Sequence, residues 1–331
     1  MGTVLSNGGN RLLQVRGLSV CYQDGGNLIR ALDQVDLDIH AGEIIGLLGE
    51  SGSGKSTLAC AILRLLPPHA TCNGGQVLFG QRDLLRAAER DLRAVRGARI
   101  SLVWQDPALA LNPVISVGNQ IAEVLRAHIQ LSPSQQRVRV LELLCEVGFA
   151  APEEIYGAYP HQLSGGQRQR VLIAQAIAGR PALVIADEAT CKLDSASQTD
   201  ILHLLAGLRR RHGTAFLVIS HDPSVLAGFA DRIAVMYAGR IVEESDASAI
   251  FRNPRHPYTQ ALMRLAASPA NGNKHRLPAI DGEAPDLGLI YAGCRFEPRC
   301  GDKLAACPTR DPVEVKRESG RVSCFRYDES I

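Results

Sequence analysis

The chain has 331 residues, of which 46% are hydrophobic and 21% charged, and its net charge at pH 7 is +2. This is the composition of a soluble globular protein long enough for about two domains, and so small a net charge gives no case for a nucleic-acid partner. No apolar run approaches the roughly 20 residues of a membrane span, and residues 1–10 show no secretory signal, so we expect a cytosolic protein.

The first elements alternate between apolar and polar residues, over residues 11–20 and 31–39. This alternation predicts two half-buried antiparallel strands. Residues 43–48 are almost continuously apolar, which is typical of a buried parallel strand. Residues 58–66 then have a helical pattern, and we expect Pro67 and Pro68 to end that helix.

A glycine-rich loop, GESGSGKST at residues 49–57, lies between this strand and this helix and fits the pattern G-x-x-x-x-G-K-[ST]. Its glycines let backbone N–H groups turn toward phosphate oxygens, and the helix N-terminus adds partial positive charge. We predict that Lys55 reaches the β- and γ-phosphates of a nucleotide and that the Ser56 hydroxyl binds Mg²⁺. The other predicted nucleotide-binding residues of the loop are Gly49, Glu50, Ser51, Gly52, Ser53, Gly54 and Thr57.

The middle of the chain alternates strands with helices. Strands are predicted over residues 74–80 and 99–104, a charged helix over residues 83–96, and an amphipathic helical stretch over residues 117–148 with a break at Pro133. Residues 152–160 should interrupt the helices. The segment HQLSGGQRQR that follows begins another helix with Ser164 as its N-cap, and its serine and glycine amides offer a second phosphate site.

Two buried strands are predicted next, over residues 182–186 and 215–220, and polar side chains follow both. Asp187 and Glu188 follow the first strand, where side chains at a parallel strand's carboxyl end face the ligand crevice. Asp187 is suited to the Mg²⁺ shell, and Glu188 to polarising a water for attack on the γ-phosphate. With a helix over residues 200–211 and a hairpin over 233–243, we predict an α/β fold with a mainly parallel central sheet.

Cysteines crowd into the C-terminal part, with the spacing C-x5-C-x6-C-x16-C: Cys294, Cys300, Cys307 and Cys324. In a cytosolic protein such a cluster favours metal over disulfides. Four thiolates can bind Zn²⁺ or an iron–sulfur cluster, although the C-x2-C pairs usual for zinc are absent; free thiols or a disulfide stay open. The remaining cysteines, Cys21, Cys60, Cys72, Cys145 and Cys191, are predicted to be ordinary small buried residues.

The order of the motifs resembles that of ATP-binding-cassette (ABC) transporter subunits over roughly residues 10–245. Residues 49–57 match the Walker A loop, Gln105 the Q-loop, residues 183–188 Walker B and His221 the switch histidine. The family's signature corresponds to Leu163, Ser164, Gly165, Gly166 and Gln167, and its D-loop to Leu193 and Asp194. Tyr22 stands where the family has the aromatic residue that stacks on adenine.

The resemblance implies an ATPase in which two such domains meet head to tail. Each ATP would be held between one domain's Walker A loop and the other's signature. Glu188 would be the general base, Gln105 would contact Mg²⁺ and the attacking water, and His221 would contact the γ-phosphate. An antiparallel β subdomain and a helical subdomain are implied as well.

The stretch after Walker B departs from the family's usual Asp-Glu-Pro-Thr-Thr/Ser-Ala-Leu-Asp. Ala189 replaces the proline, and Cys191 and Lys192 replace two small residues, whereas Asp194 is retained. We still expect hydrolysis at this site; a weak or asymmetric site is the alternative.

The C-terminal part narrows the resemblance to one branch of the family. Residues 253–262 look like the extension of peptide, opine and nickel importers, and the four cysteines resemble those of dipeptide and oligopeptide importer ATPases, some of which bind a [4Fe–4S] cluster. We therefore expect an ABC ATPase domain over residues 1–250, with a helical subdomain at about 108–178, and a small Cys-rich extension over residues 251–331.

Taken together, the resemblance implies a subunit that uses ATP and Mg²⁺, with a [4Fe–4S] cluster, to energise a peptide-type importer. Its partners would be a second, different ATPase chain, two transmembrane permease subunits and a periplasmic or extracellular substrate-binding protein. It would lie peripherally at the cytoplasmic side of the inner membrane. The alternatives are a nickel or opine importer, a soluble ABC ATPase unconnected with transport, and a non-enzymatic metal-binding regulator.

Overall fold

The computed structural model describes residues 11–267, 280–283, 285–289 and 291–328. The strands are β1 (Arg11–Asp24), β2 (Asn27–His40), β3 (Ile44–Leu48), β4 (Ala70–Phe79), β5 (Arg82–Asp83), β6 (Ile100–Val103), β7 (Leu183–Asp187), β8 (Ala215–Ser220), β9 (Arg232–Tyr237), β10 (Arg240–Asp246), β11 (Glu314–Arg317) and β12 (Gly320–Ser323). The α-helices are α1 (Lys55–Ile62), α2 (Glu89–Val95), α3 (Pro107–Ala110), α4 (Val117–His128), α5 (Pro133–Glu146), α6 (Pro152–Gly157), α7 (Gly165–Ile177), α8 (Ser195–His212), α9 (Pro223–Leu226), α10 (Ala247–Arg252) and α11 (Pro257–Ala267).

The central sheet has the strand order β11-β12-β10-β9-β3-β8-β7-β6. From β9 to β6 all neighbours are parallel, whereas β10, β12 and β11 add antiparallel strands at one edge. Every residue of β3, β7 and β8 is buried, as expected for parallel strands covered on both faces. The predicted α/β fold with a mainly parallel central sheet is confirmed.

A second sheet is antiparallel, with the order β2-β1-β4-β5. Alternate residues of β1 and β2 are buried, among them Leu13, Val15 and Leu37, and they share an apolar core with α1 and the central sheet. This sheet is the predicted antiparallel N-terminal part, and it places one end of β1 beside the glycine-rich loop.

Helices α3 to α7 lie between β6 and β7 in the chain, which confirms the predicted helical insertion. The break expected at Pro133 is confirmed, since α4 ends at His128 and α5 begins at Pro133, with the proline in its first turn and Ser132 as its cap. Over residues 152–160 the prediction of a break was wrong for α6, where Pro152 again begins a helix.

Two other helix boundaries differ from expectation. Helix α1 ends at Ile62, before the prolines that were expected to end it, and Arg64 has a positive φ of 50°. Of residues 83–96, only α2 is helical, whereas Asp83 belongs to β5.

The C-terminal extension continues the central sheet. β12 pairs with β10 through Glu243–Val322, and Tyr258 of α11 is fully buried in the core. In the described parts of the chain no helix is long and apolar enough to cross a lipid bilayer. Among the scattered cysteines Cys21 is buried and Cys60 half-buried; the prediction of burial was wrong for the exposed Cys72, Cys145 and Cys191.

Candidate nucleotide-binding site

The glycine-rich loop turns between β3 and α1 in a shape that only glycine permits at its ends. A Cβ at Gly49 would lie 2.3 Å from the Met236 carbonyl oxygen. Gly54, at the N-cap of α1, has a φ of 108°, and a Cβ there would lie 2.5 Å from the Ala31 oxygen. The loop is therefore packed against backbone on two sides, and several of its other residues line a space open to a ligand.

Lys55 is held inside this loop. Only 5% of the residue is exposed, and its Nζ donates to the carbonyl oxygens of Gly49 at 2.7 Å and Glu50 at 2.8 Å. Burial lowers the pKa of Lys55, and the carboxylates of Glu188, Asp187 and Glu50 oppose that shift. A buried ammonium that faces carbonyls can exchange them for phosphate oxygens.

Asp187 ends β7 directly beside α1. It is 3% exposed, and its Oδ1 has no hydrogen-bond partner among the described residues. Burial raises the pKa of Asp187, and the Ser56 hydroxyl opposes this by hydrogen bonding to the carboxylate. An orphaned buried carboxylate oxygen beside a serine hydroxyl fits a Mg²⁺ ligand set.

Glu188 follows Asp187 with a positive φ of 45°, which is unusual for a residue other than glycine. Gln105 Nε2, beyond β6, donates to its Oε2 at 2.7 Å, and His221 Nδ1, beyond β8, lies 3.1 Å from its Oε1. Three strand ends of the central sheet thus bring Glu188, Gln105 and His221 together.

A cavity of about 710 Å³ opens between the loop and the antiparallel sheet. The predicted site residues on its wall are Tyr22, Ser51, Gly52, Gly54, Lys55, Ser56, Thr57, Gln105 and Glu188. The Tyr22 hydroxyl lies 3.2 Å from Thr57 Oγ1, and the Tyr22 ring lies 5.6 Å from that of His69. An aromatic wall beside a phosphate-binding loop suits a nucleotide base.

The signature residues lie elsewhere. Ser164 caps α7 by accepting from the Gln167 N–H, and Gln167 accepts from the Ser164 N–H, so the predicted N-cap is confirmed. Ser164 and Gly165 are exposed, and neither lines the cavity at the loop. Asp194 caps α8 by accepting from the Ser197 N–H at 2.9 Å.

The altered stretch after Glu188 has contacts of its own. Lys192 Nζ lies 2.6 Å from Asp106 Oδ2, next to Gln105, and their hydrogen bond raises the pKa of Lys192 and lowers that of Asp106. Cys191 Sγ lies 3.9 Å from Gln105 Nε2. Cys191 and Lys192, which differ from the family's usual pattern, therefore connect the D-loop to the Q-loop.

The four C-terminal cysteines lie in one neighbourhood. Burial raises the pKa of the Cys294 thiol to about 12, and repulsion from the thiolates of Cys307, Cys324 and Cys300 adds to the shift. The Leu304 N–H donates to Cys307 Sγ at 3.3 Å. Within residues 11–267 and the described parts of the extension, no three His, Cys, Asp or Glu side chains are arranged to hold a metal ion.

Sequence reasoning did not identify several residues at this site. His69 and Leu287 line the cavity, and the Leu287 carbonyl accepts from the Arg30 N–H at 2.9 Å. Tyr258 and Arg299 contact Glu50 of the loop. Leu287, Tyr258 and Arg299 lie more than 200 residues beyond the loop in the chain, and no local pattern connects them to it.

Comparisons with known proteins agree with this geometry. The ABC transporter family matches residues 32–191, and the family described as oligopeptide/dipeptide transporter, C-terminal region, matches residues 242–307. The chain is 41% identical to the dipeptide transport ATP-binding protein DppD of Escherichia coli, covering 96% of each chain. It is 40% identical to the oligopeptide transport ATP-binding protein AppD of Bacillus subtilis, covering 96% of this chain and 97% of AppD.

Solved structures that resemble this chain also belong to ABC transporters. A dimeric, post-hydrolysis structure of the ATP-binding cassette MJ0796 bound to ADP and Pi is 31% identical, with a TM-score of 0.64 over 71% of this chain and 98% of that one. CbiO1 of Clostridium perfringens, part of an ABC transporter complex, is 26% identical with the same TM-score. The chain therefore belongs to the ATP-binding proteins of ABC transporters, and it is an ABC-type ATPase with a C-terminal region of the oligopeptide/dipeptide transporter type.

Proposed function

We propose that this ATPase energises the import of peptides by closing head to tail on a second ATPase domain. The observation that carries the proposal is the separation of two phosphate-binding helix starts. The loop at residues 49–57 lines the cavity, whereas the capped N-terminus of α7 at Ser164 lies exposed outside it. A second domain placed head to tail would bring its own signature over this loop, and this chain's signature would serve the partner's ATP.

Different residues around the loop have different roles in binding and hydrolysing ATP. The loop amides and Lys55 bind the phosphates, and Tyr22 packs on the base. Glu188 accepts a proton from the attacking water, with Gln105 and His221 fixing the orientation of its carboxylate. Ser56, Gln105 and Asp187 would hold Mg²⁺, which when bound would neutralise negative charge on the phosphates.

The peptide assignment rests on the extension. The match over residues 242–307 and the relatives named for dipeptide and oligopeptide transport support it. We propose residues 1–250 as the ATPase domain, with a helical subdomain at about 108–178, and residues 251–331 as the extension. The partners on this proposal are a different ATPase chain, two permease subunits and a substrate-binding protein, with this chain peripheral at the cytoplasmic face of the inner membrane.

Peptide-dependent ATP hydrolysis in the assembled complex tests this function. We expect the complex, reconstituted in lipid nanodiscs with its binding protein, to hydrolyse ATP several-fold faster when a dipeptide or tetrapeptide is added. The physical reason is that a peptide which favours the closed arrangement of the two ATPase domains raises the fraction of complexes in that arrangement, in which ATP is hydrolysed. Stimulation by a nickel chelate or an opine, with none by peptides, would overturn the peptide assignment.

We further propose that Cys294, Cys300, Cys307 and Cys324 ligate a [4Fe–4S] cluster. Four neighbouring thiols, one of them accepting a backbone N–H, are the donor set that such clusters use. The C-x2-C pairs usual for zinc are absent from the spacing of these cysteines, which favours the cluster over a single Zn²⁺.

Metal analysis of anaerobically purified protein tests the cluster. We expect about four iron atoms per chain and absorption near 400 nm, roughly where thiolate–iron charge transfer falls. Cys324→Ser should lower the iron content, whereas Cys145→Ser, at an exposed cysteine elsewhere, should not. Colourless protein that contains zinc, or no metal, would overturn the cluster.

A further inference from the structure

Three groups converge on Glu50, the second residue of the glycine-rich loop. Its backbone N–H donates to the Tyr258 hydroxyl at 2.8 Å, and its backbone carbonyl accepts from Lys55 Nζ at 2.8 Å. Its carboxylate forms a two-pronged ion pair with Arg299, with Nη1–Oε2 at 2.7 Å and Nη2–Oε1 at 3.1 Å. Two of the three partners, Tyr258 and Arg299, belong to the C-terminal extension.

The side chains of Tyr258 and Arg299 are both buried and packed against aromatic rings. The Tyr258 side chain is fully buried, and only 5% of the Arg299 side chain is exposed. The Tyr258 ring lies 4.5 Å from that of Tyr237, and the Phe296 ring packs edge-on against Tyr237 at 5.2 Å. The Arg299 guanidinium lies 5.9 Å from the Tyr237 ring centroid. This aromatic packing gives Tyr258 and Arg299 little freedom to move away from the loop.

Glu50 itself does not line the cavity beside the loop. Its neighbours Ser51 and Gly52 line the cavity, whereas Glu50 is absent from the cavity wall. Its carboxylate is therefore available to anchor the loop and is not needed to bind a ligand. A loop anchored at this residue loses less conformational entropy when its amides close around phosphate, and a binding site that is already ordered binds more tightly.

We propose that Tyr258 and Arg299 are positioning residues, which hold the Walker A loop in its phosphate-binding shape through Glu50. The affinity for ATP is thus set partly by the C-terminal extension. This inference rests on the proposed role of residues 49–57 as the nucleotide-binding loop. It requires neither a cluster at the cysteines nor a transported peptide.

A double-mutant cycle on the full-length chain tests the proposal, with binding of a fluorescent trinitrophenyl-ATP as the readout. Loss of the ion pair should weaken nucleotide binding about tenfold in Arg299→Gln, and loss of the neutral hydrogen bond should weaken it about threefold in Tyr258→Phe, because both contacts act indirectly. The kcat at saturating ATP should stay within about twofold, because Glu188 and its partners are untouched. In a Glu50→Gln background, Arg299→Gln should add no more than about a twofold change.

Two further variants separate positioning from simple charge compensation. If Arg299 only neutralised Glu50, Arg299→Lys would bind the nucleotide normally and Glu50→Gln would bind it at least as tightly as the unchanged protein. Positioning predicts weaker binding in both, because lysine lacks the two-pronged geometry and glutamine loses the ion pair. Arg326→Gln, which removes an exposed ion pair with Asp302 in the same extension, is the matched control and should bind normally.

The outcomes distinguish this inference from the proposed function. Normal binding by Arg299→Gln and Tyr258→Phe, or additive losses in the double variant, would overturn the positioning role while leaving the ATPase intact. Failure of the unchanged protein to bind the nucleotide would instead count against the loop itself. Equal metal content and melting temperature across the variants would show that the extension stays folded.

Discussion

Glu188→Gln is expected to slow ATP hydrolysis by at least about a hundredfold while ATP binding stays close to that of the unchanged protein. Glutamine keeps the shape of the side chain and can still hydrogen bond to Gln105 and His221, but it cannot take a proton from water. Glu188 does not contact Lys55 through a hydrogen bond, so the phosphate-binding loop should be unaffected.

Rapid-quench measurement of phosphate release in the assembled transporter, at saturating ATP and Mg²⁺, checks this prediction. Because ATP would be bound and not hydrolysed, we also expect the two ATPase domains of the variant transporter to stay closed on each other for longer. Glu142→Gln, at an exposed residue of α5, is the control for a neutralised carboxylate. Turnover by Glu188→Gln at the parental rate would remove Glu188 from the mechanism.

The prediction for Glu188→Gln rests on the contacts that hold the Glu188 carboxylate in place. Gln105 and His221 reach the carboxylate from two different strand ends, and Glu188 has a positive φ. Backbone strain of this kind persists where the surrounding structure over-determines it. The altered residues that follow, including Lys192 paired to Asp106, leave these contacts in place, and therefore hydrolysis is expected despite the departure from the family's usual pattern.

Much of this site could be predicted from the sequence because its parts are local. The glycine loop, the buried strands and the acidic pair after β7 are each encoded within about ten consecutive residues, and parallel strand ends meet at one edge of a sheet. The break at Pro133 was predicted correctly, whereas the helix that begins at Pro152 was predicted as a break, since proline both begins and ends helices.

The extension could not be placed in this way. The pairing of β12 with β10 and the contacts of Tyr258 and Arg299 with Glu50 join residues far apart in the chain. Nothing in a local pattern fixes which distant arginine meets a given glutamate, because many surface arginines satisfy the same charge requirement. Such contacts depend on the packing of the whole fold, here through the buried rings of Tyr237 and Phe296.

Lys55→Met should lower the affinity for ATP by at least about a hundredfold, whereas Glu188→Gln should keep it. Hydrolysis by Lys55→Met should fall as a consequence of the lost binding. Methionine fills the space of the lysine stem, and so the fold should tolerate it, but it cannot bring positive charge to the phosphates from a residue that is only 5% exposed. Isothermal titration with ATP in the presence of Mg²⁺ measures the loss directly.

Comparison with Lys303→Met separates the role of this ammonium from a general loss of charge. Lys303 is exposed and paired with Glu297 in the extension, it does not line the cavity, and its replacement should leave ATP affinity unchanged. If Lys55→Met bound ATP as tightly as the unchanged protein, residues 49–57 would not be the phosphate site. The anchoring of Glu50 by Tyr258 and Arg299 would then concern the stability of the fold and not the nucleotide. If ATP affinity instead fell about a hundredfold in Lys55→Met and roughly tenfold in Arg299→Gln, Lys55 would be a residue that binds the phosphates directly. Arg299 would be a residue that positions the same loop.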